Sequence, residues 1–136
     1  MYRNLIKAGA LVVLLAGSLA GCAGIARDAG VRQDPQQQVR ERAAARWSAL
    51  IAGDLAKAYE YLSPGTREVM SLDLYKKRTR PGMWKKASVD TVSCEQDRCK
   101  VKIAIEHGYR DMKSIETFLE EDWLRDGGKW WFAPRK

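Results

Sequence analysis

The sequence predicts an α+β fold, with N-terminal helices packed on one face of an antiparallel four-stranded sheet. Three observations carry that expectation. Apolar residues recur at helical spacing through the first part of the chain after residue 36, then alternate with period two over residues 100–109. Asp126-Gly127-Gly128 supplies a hairpin turn between two apolar runs. Cys94 and Cys99 bracket a stretch whose centre can make a second tight turn. Helices first and a meander after them place one helical layer on one side of a sheet. Composition agrees: 46% hydrophobic and 30% charged residues are the balance of a globular domain, not of a disordered chain.

Each element follows from local signals. Val39, Ala43, Trp47, Leu50 and Ile51 share helical spacing, with Arg40, Arg42 and Arg46 mostly on other sides. Gly53 closes that helix and Asp54 caps the next. Leu55, Ala58, Tyr59 and Leu62 then form one apolar stripe on a second helix. Ser63-Pro64 is a further start signal, Ser as cap and Pro at the first helical position. A helical segment from Ser71 to about Arg78 carries Leu72, Leu74 and Tyr75, and Pro81-Gly82 ends it. Val101, Ile103, Ile105, His107 and Tyr109 alternate with polar or small residues, which makes a half-buried strand. Residues 86–94 are its hairpin partner, Ile115–Arg125 a third strand and Lys129–Ala133 a fourth. On the third strand, Glu120 and Asp122 share one face and Glu121 takes the other, with Lys100 and Lys102 as cross-strand partners for the carboxylates.

The cysteines set a register. A two-residue turn at Gln96-Asp97 places Glu95 opposite Arg98 and Cys94 opposite Cys99, close enough for a disulfide. Counting back from it, Val92 faces Val101, Asp90 faces Ile103, Ser88 faces Ile105 and Trp84 faces Tyr109, all on the face that carries His107. Asp90, His107 and Tyr109 are therefore the candidate residues of a polar spot in an apolar hollow, since a carboxylate among aliphatics needs a partner. Two thiols alone cannot close a tetrahedral zinc site, and with one His in the chain no metal is expected.

The first residues read as an export signal. Arg3 and Lys7 form a positive start, and Ala8–Ala20 is an apolar run shorter than the roughly 20 residues a membrane span needs. It ends in Leu19-Ala20-Gly21-Cys22, which resembles the lipobox of bacterial lipoproteins. That resemblance implies cleavage after residue 21, lipidation of Cys22 with diacylglycerol and an amide-linked acyl chain such as palmitate, and stable anchoring by the combined chains. Ala23 after the cysteine implies the outer membrane, with the domain facing the periplasm. Residues 22–35 then form the lipidated cysteine and a flexible tether, reaching on the order of 45 Å when extended. The folded domain occupies residues 36–136. An exported pair at Cys94 and Cys99 is expected to be oxidised.

Two stretches carry a family likeness: Arg46-Trp47-x-Ala49-Leu50-x-x-Gly53-Asp54 continuing to Arg67, and Glu116 to Phe132 with its Gly-Gly turn and Trp-Trp ending. Together they resemble the nuclear transport factor 2-like superfamily, the cystatin-like cone. The resemblance implies a curved sheet wrapped around a long N-terminal helix, a concave pocket between them, and often a dimer. Family enzymes place an Asp base with Tyr donors, or Asp/His pairs, inside the cone. Asp90 and His107 are the matching residue types here, with Tyr59, Tyr75 and Tyr109 as hydroxyl donors.

The chain carries a formal net charge of +7, and a basic run, Lys76, Lys77, Arg78, Arg80, Lys85 and Lys86, suits an anionic surface or an acidic envelope protein. Export and anchoring exclude nucleic acid. Gly-x-Gly-x-x-Gly, Walker and Gly-x-Ser-x-Gly signatures are absent, so no nucleotide cofactor is expected. The expectation is a membrane-anchored periplasmic lipoprotein that works as a non-catalytic binding or assembly module. Two further readings stay open: a small lyase, isomerase or hydrolase using the cone pocket, and a periplasmic subunit of a secretion or conjugation apparatus.

Overall fold

The computed structural model describes residues 34–108 and 114–135. Cys22, the tether up to residue 33 and Tyr109 lie outside the described residues. The element order is α1 (Pro35–Ile51), α2 (Leu55–Tyr59), α3 (Pro64–Val69), α4 (Leu72–Arg78), a 3₁₀ turn (Pro81–Met83), β1 (Trp84–Glu95), β2 (Arg98–His107), β3 (Ile115–Asp126) and β4 (Lys129–Ala133). The strands form one antiparallel sheet in the order β1-β2-β3-β4. This is the expected α+β arrangement.

Helix boundaries follow from capping. Asp34 accepts from the Gln36 amide, so α1 begins at Pro35, just ahead of the expected domain start at residue 36. At its other end Gly53 sits at φ +75°, where a side chain would be strained. Its amide bonds Leu50 O at 3.1 Å and the Asp54 amide bonds Ala49 O at 2.9 Å, a Schellman closure. Asp54 and Ser63 cap α2 and α3 as expected, and Ser71, read as the first residue of its helix, caps α4 instead. The second helix stops at Tyr59, short of Leu62. Leu62 instead makes a parallel bridge to Phe132, with Phe132 N donating to Tyr61 O at 2.8 Å, so this segment covers part of the outer edge of β4. Covering an edge removes unpaired backbone groups from solvent.

The core lies between α1 and the sheet. Val39, Ala43, Trp47 and Leu50 from the helix meet Val92, Cys99, Val101, Ile103, Ile105 and Trp123. Full burial of each large apolar side chain stabilises by roughly 1.5–3 kcal/mol. Arg46 belongs to the same buried stripe at 6% exposure, and Arg42 and Arg40 also turn inward: Arg42 Nε donates to Trp130 O and Arg40 Nη1 to Val89 O. The arginines expected on other sides of the helix thus bridge it to the sheet. Their long stems cover apolar surface while the guanidinium finds acceptors.

Hairpin chemistry behaves as expected. Cys94 and Cys99 are disulfide-bonded, with Cα atoms 4.0 Å apart. The Gly127-Gly128 turn has φ of +57° and +77°, which glycine adopts without a Cβ clash. Gln96 takes φ +51° in the other turn, where a non-glycine residue is uncommon.

The register corrects one expectation. Cys94↔Cys99 and Val92↔Val101 hold, but β1 bulges between Val89 and Thr91, so Val89, not Asp90, faces Ile103. Beyond the bulge Ala87 faces Ile105 and Ser88 faces Ala104, and after a second irregularity Trp84 faces His107. One inserted residue exchanges the two faces from Val89 back to Lys86, and the second irregularity returns Trp84 to the side of Trp47.

Candidate functional site

A cleft of about 500 Å³ opens beside α1. It lies where the second half of α1, the segment from Arg78 to Trp84, and the β3–β4 region converge. Its apolar lining includes Trp47, Leu50, Met83, Trp84 and Phe132. Trp47 and Trp84 meet edge to face with centroids 5.2 Å apart, a favoured aromatic geometry. They sit together because Trp47 follows the buried stripe of α1 and Trp84 opens β1.

Glu121 belongs to the polar part of the lining. Alternation on β3 turns it toward α1, where it is 4% exposed. Glu121 Oε1 accepts from Arg46 Nη1 at 2.6 Å and Trp47 Nε1 at 2.8 Å, while Oε2 accepts from Trp123 Nε1 at 3.0 Å. Arg46 also lies over the Phe132 ring, 3.6 Å from its centroid, and its buried Nε has no acceptor. A buried charge pair with these extra bonds is a high-stakes element: intact it specifies the packing, and half removed it leaves an unpaired ion.

Glu120 and Asp122 alternate to the other side of β3 yet border the cleft at its rim, and both accept from Arg135, whose Nε is 2.9 Å from Asp122 Oδ2 and Nη2 3.2 Å from Glu120 Oε2. These bonds raise the Arg135 pKa above its ordinary value. Burial lowers that of Arg42, partly offset by Tyr61. Lys100 and Lys102 do face Asp122 and Glu120 in register, as expected. Lys102 itself pairs with Asp90 at 3.6 Å and lies 4.3 Å from the Phe118 ring centroid.

Asp90 and His107, the two described residues of the expected polar spot, are not brought together. Asp90, displaced by the bulge, is exposed on the sheet face away from α1, held by Lys102. His107 pairs in register with Trp84 and Ile115, and its Nε2 lies 3.2 Å from Thr117 Oγ1. Tyr59 donates to Met70 O at 2.8 Å and stacks on the buried Tyr75 at 5.5 Å, so neither hydroxyl lines the cleft. Of the basic run, Lys76, Lys77, Arg78, Arg80, Lys85 and Lys86 are all exposed, Lys86 paired with Glu106, and Arg78 and Arg80 reach the cleft. Sequence reasoning missed Arg46 and Glu121. The available signal was Arg46 lying seven residues after Val39, on the apolar stripe, together with the single inward carboxylate of β3.

Among the described residues no group of three His, Cys, Asp or Glu side chains gathers as a metal site, and no helix is long and apolar enough to cross a membrane. No family model matches the sequence, and no curated protein does either. Among solved structures, the chain is similar to the solution structure of a SEC-C motif containing protein from Rhodopseudomonas palustris. The TM-score is 0.52 at 15% identity, over 65% of this chain and 70% of that one. At that identity the likeness speaks for the fold alone.

Proposed function

We propose that this chain is a lipoprotein of the bacterial envelope with a nuclear transport factor 2-like domain, serving as a non-catalytic binding or assembly module. Acylated Cys22 anchors it at the outer membrane, facing the periplasm, and the cleft beside Arg46 and Glu121 is its binding surface. One observation carries the binding role: the cleft combines exposed arginines and an aromatic floor with carboxylates that are all engaged. Glu121 accepts three hydrogen bonds, and Glu120 and Asp122 are held by Arg135. Such a lining grips and orients. The Cys94–Cys99 disulfide supports the exported setting, because oxidising compartments maintain such bonds.

The anchor is tested by metabolic labelling with palmitate, expected in the wild type and abolished by Cys22→Ala. The binding surface is tested by photo-cross-linking in intact cells from Met83, 64% exposed at the cleft, and from Phe118, 53% exposed on the opposite face of the sheet. A discrete adduct from position 83 and none from 118 is expected. Adducts of equal strength from both positions, or an unlabelled wild type, would overturn the reading.

A further inference from the structure

We infer that the cleft takes a single-chain amphipathic monocarboxylate of fatty-acid type, its head held by Arg78 and Arg80 and its chain lying on Trp47, Met83 and Trp84. The inference rests on the binding reading above and names the ligand class for that same cleft.

Charge accounting within the lining sets the head group. Arg46 is matched by Glu121, and Arg135 is shared between Glu120 and Asp122. Arg78 and Arg80 have no ion-pair partner among the described residues. Four arginines against three carboxylates leave the cleft with one positive charge in excess: two on the Arg78–Arg80 wall against one net negative where Arg135 meets Glu120 and Asp122. That excess suits a monoanion. A phosphate monoester carries about −1.5 to −2 at pH 7 and would meet repulsion from the Glu120–Asp122 wall. A carboxylate between two guanidinium groups makes short charge-assisted hydrogen bonds.

The remaining lining sets the body of the ligand. Trp47, Leu50, Met83, Trp84 and Phe132 give it little polar character away from the charged walls. Met83 at 64% exposure is a flexible thioether that adapts to a mobile chain. A volume of about 500 Å³ falls within the roughly 300–1,000 Å³ of small-molecule sites, which suits one chain over two.

The experiment uses the full chain in zwitterionic phosphatidylcholine vesicles and a laurate-length fatty acid with a diazirine near its methyl end. Photolysis is expected to label residues of the cleft floor, mapped by mass spectrometry. Excess laurate is expected to abolish labelling, while dodecanol and inorganic phosphate compete at least tenfold less well. Arg78→Ala/Arg80→Ala is expected to cut labelling at least tenfold. Both residues are exposed, so circular dichroism should be unchanged. Competition by dodecanol equal to that by laurate, labelling unaffected by the double substitution, or labelling centred on Phe118 would overturn the inference. So would competition only by phosphatidylglycerol vesicles, which would make a bilayer headgroup the ligand. An unlabelled cleft that still gives the Met83 adduct in cells overturns this ligand class and leaves the binding module standing.

Discussion

Glu121 and its neighbours Glu120 and Asp122 are consecutive carboxylates on one strand, and they occupy two different media. The Glu121 side chain is 3% exposed and locked by Arg46, Trp47 and Trp123, whereas Glu120 at 56% and Asp122 at 23% share one surface arginine. The strand's period of two assigns the faces, and the medium then assigns the energetic weight. A surface pair is screened by water and salt, and its attraction is nearly offset by the entropy of holding two long side chains still. In the interior the attraction is stronger, but both ions have lost their hydration, so the pair matters most when one partner is removed.

The largest effect expected from breaking this contrast is Glu121→Ala. It leaves the Arg46 guanidinium buried without its counter-ion, and unfolding in urea should show a loss of about 3–5 kcal/mol. Trp47→Phe keeps most of the packing and removes one donor to the carboxylate. A loss of about 2 kcal/mol is expected in the same assay, in the range for a hydrogen bond to a charged group. Opening the disulfide with Cys94→Ala/Cys99→Ala should cost at most about 2 kcal/mol, because the loop is short, and calorimetry is the check.

Arg46→Met/Glu121→Leu replaces the whole pair by apolar volume. The Trp47 and Trp123 indole N–H groups lose their acceptor in this variant too, so it should be less stable than the wild type yet more stable than Glu121→Ala, and the double-mutant cycle should show coupling between the two sites. A double variant as unstable as Glu121→Ala alone would mean that the pair contributes through net attraction and not through the penalty of a lone ion. At the far end, Arg135→Ala should leave the urea midpoint unmoved within error at high salt. A large loss there would erase the distinction between the two faces.

The readable parts of the sequence are those decided within a few residues. Capping by Asp54 and Ser63, the Schellman glycine Gly53, the Gly127-Gly128 turn and the Cys94–Cys99 pairing each depend on neighbours close in the chain. The alternation of β2 and β3 was equally legible, including the split of Glu121 from Glu120 and Asp122, though not which of the two faces was buried. Asp90 was misplaced because strict counting from the disulfide has no means of registering a bulge. The cleft was only half visible: Trp47 and Trp84 were evident as aromatics, and Arg78 and Arg80 as part of a basic run, with nothing local to bring them together.

What the chain encodes by itself is the order of its elements, their ends, the two tight turns and the alternating faces of its middle strands, because backbone hydrogen bonding and side-chain periodicity act over one or two turns. Only the folded structure decided that Arg46 would lie inside, since its acceptor stands 75 residues away and burial of a guanidinium is tolerable solely where such an acceptor arrives. The same holds for the fate of Asp90 and for the walls of the cleft. A polar side chain takes its role from what packing sets against it, and that partner belongs to another element.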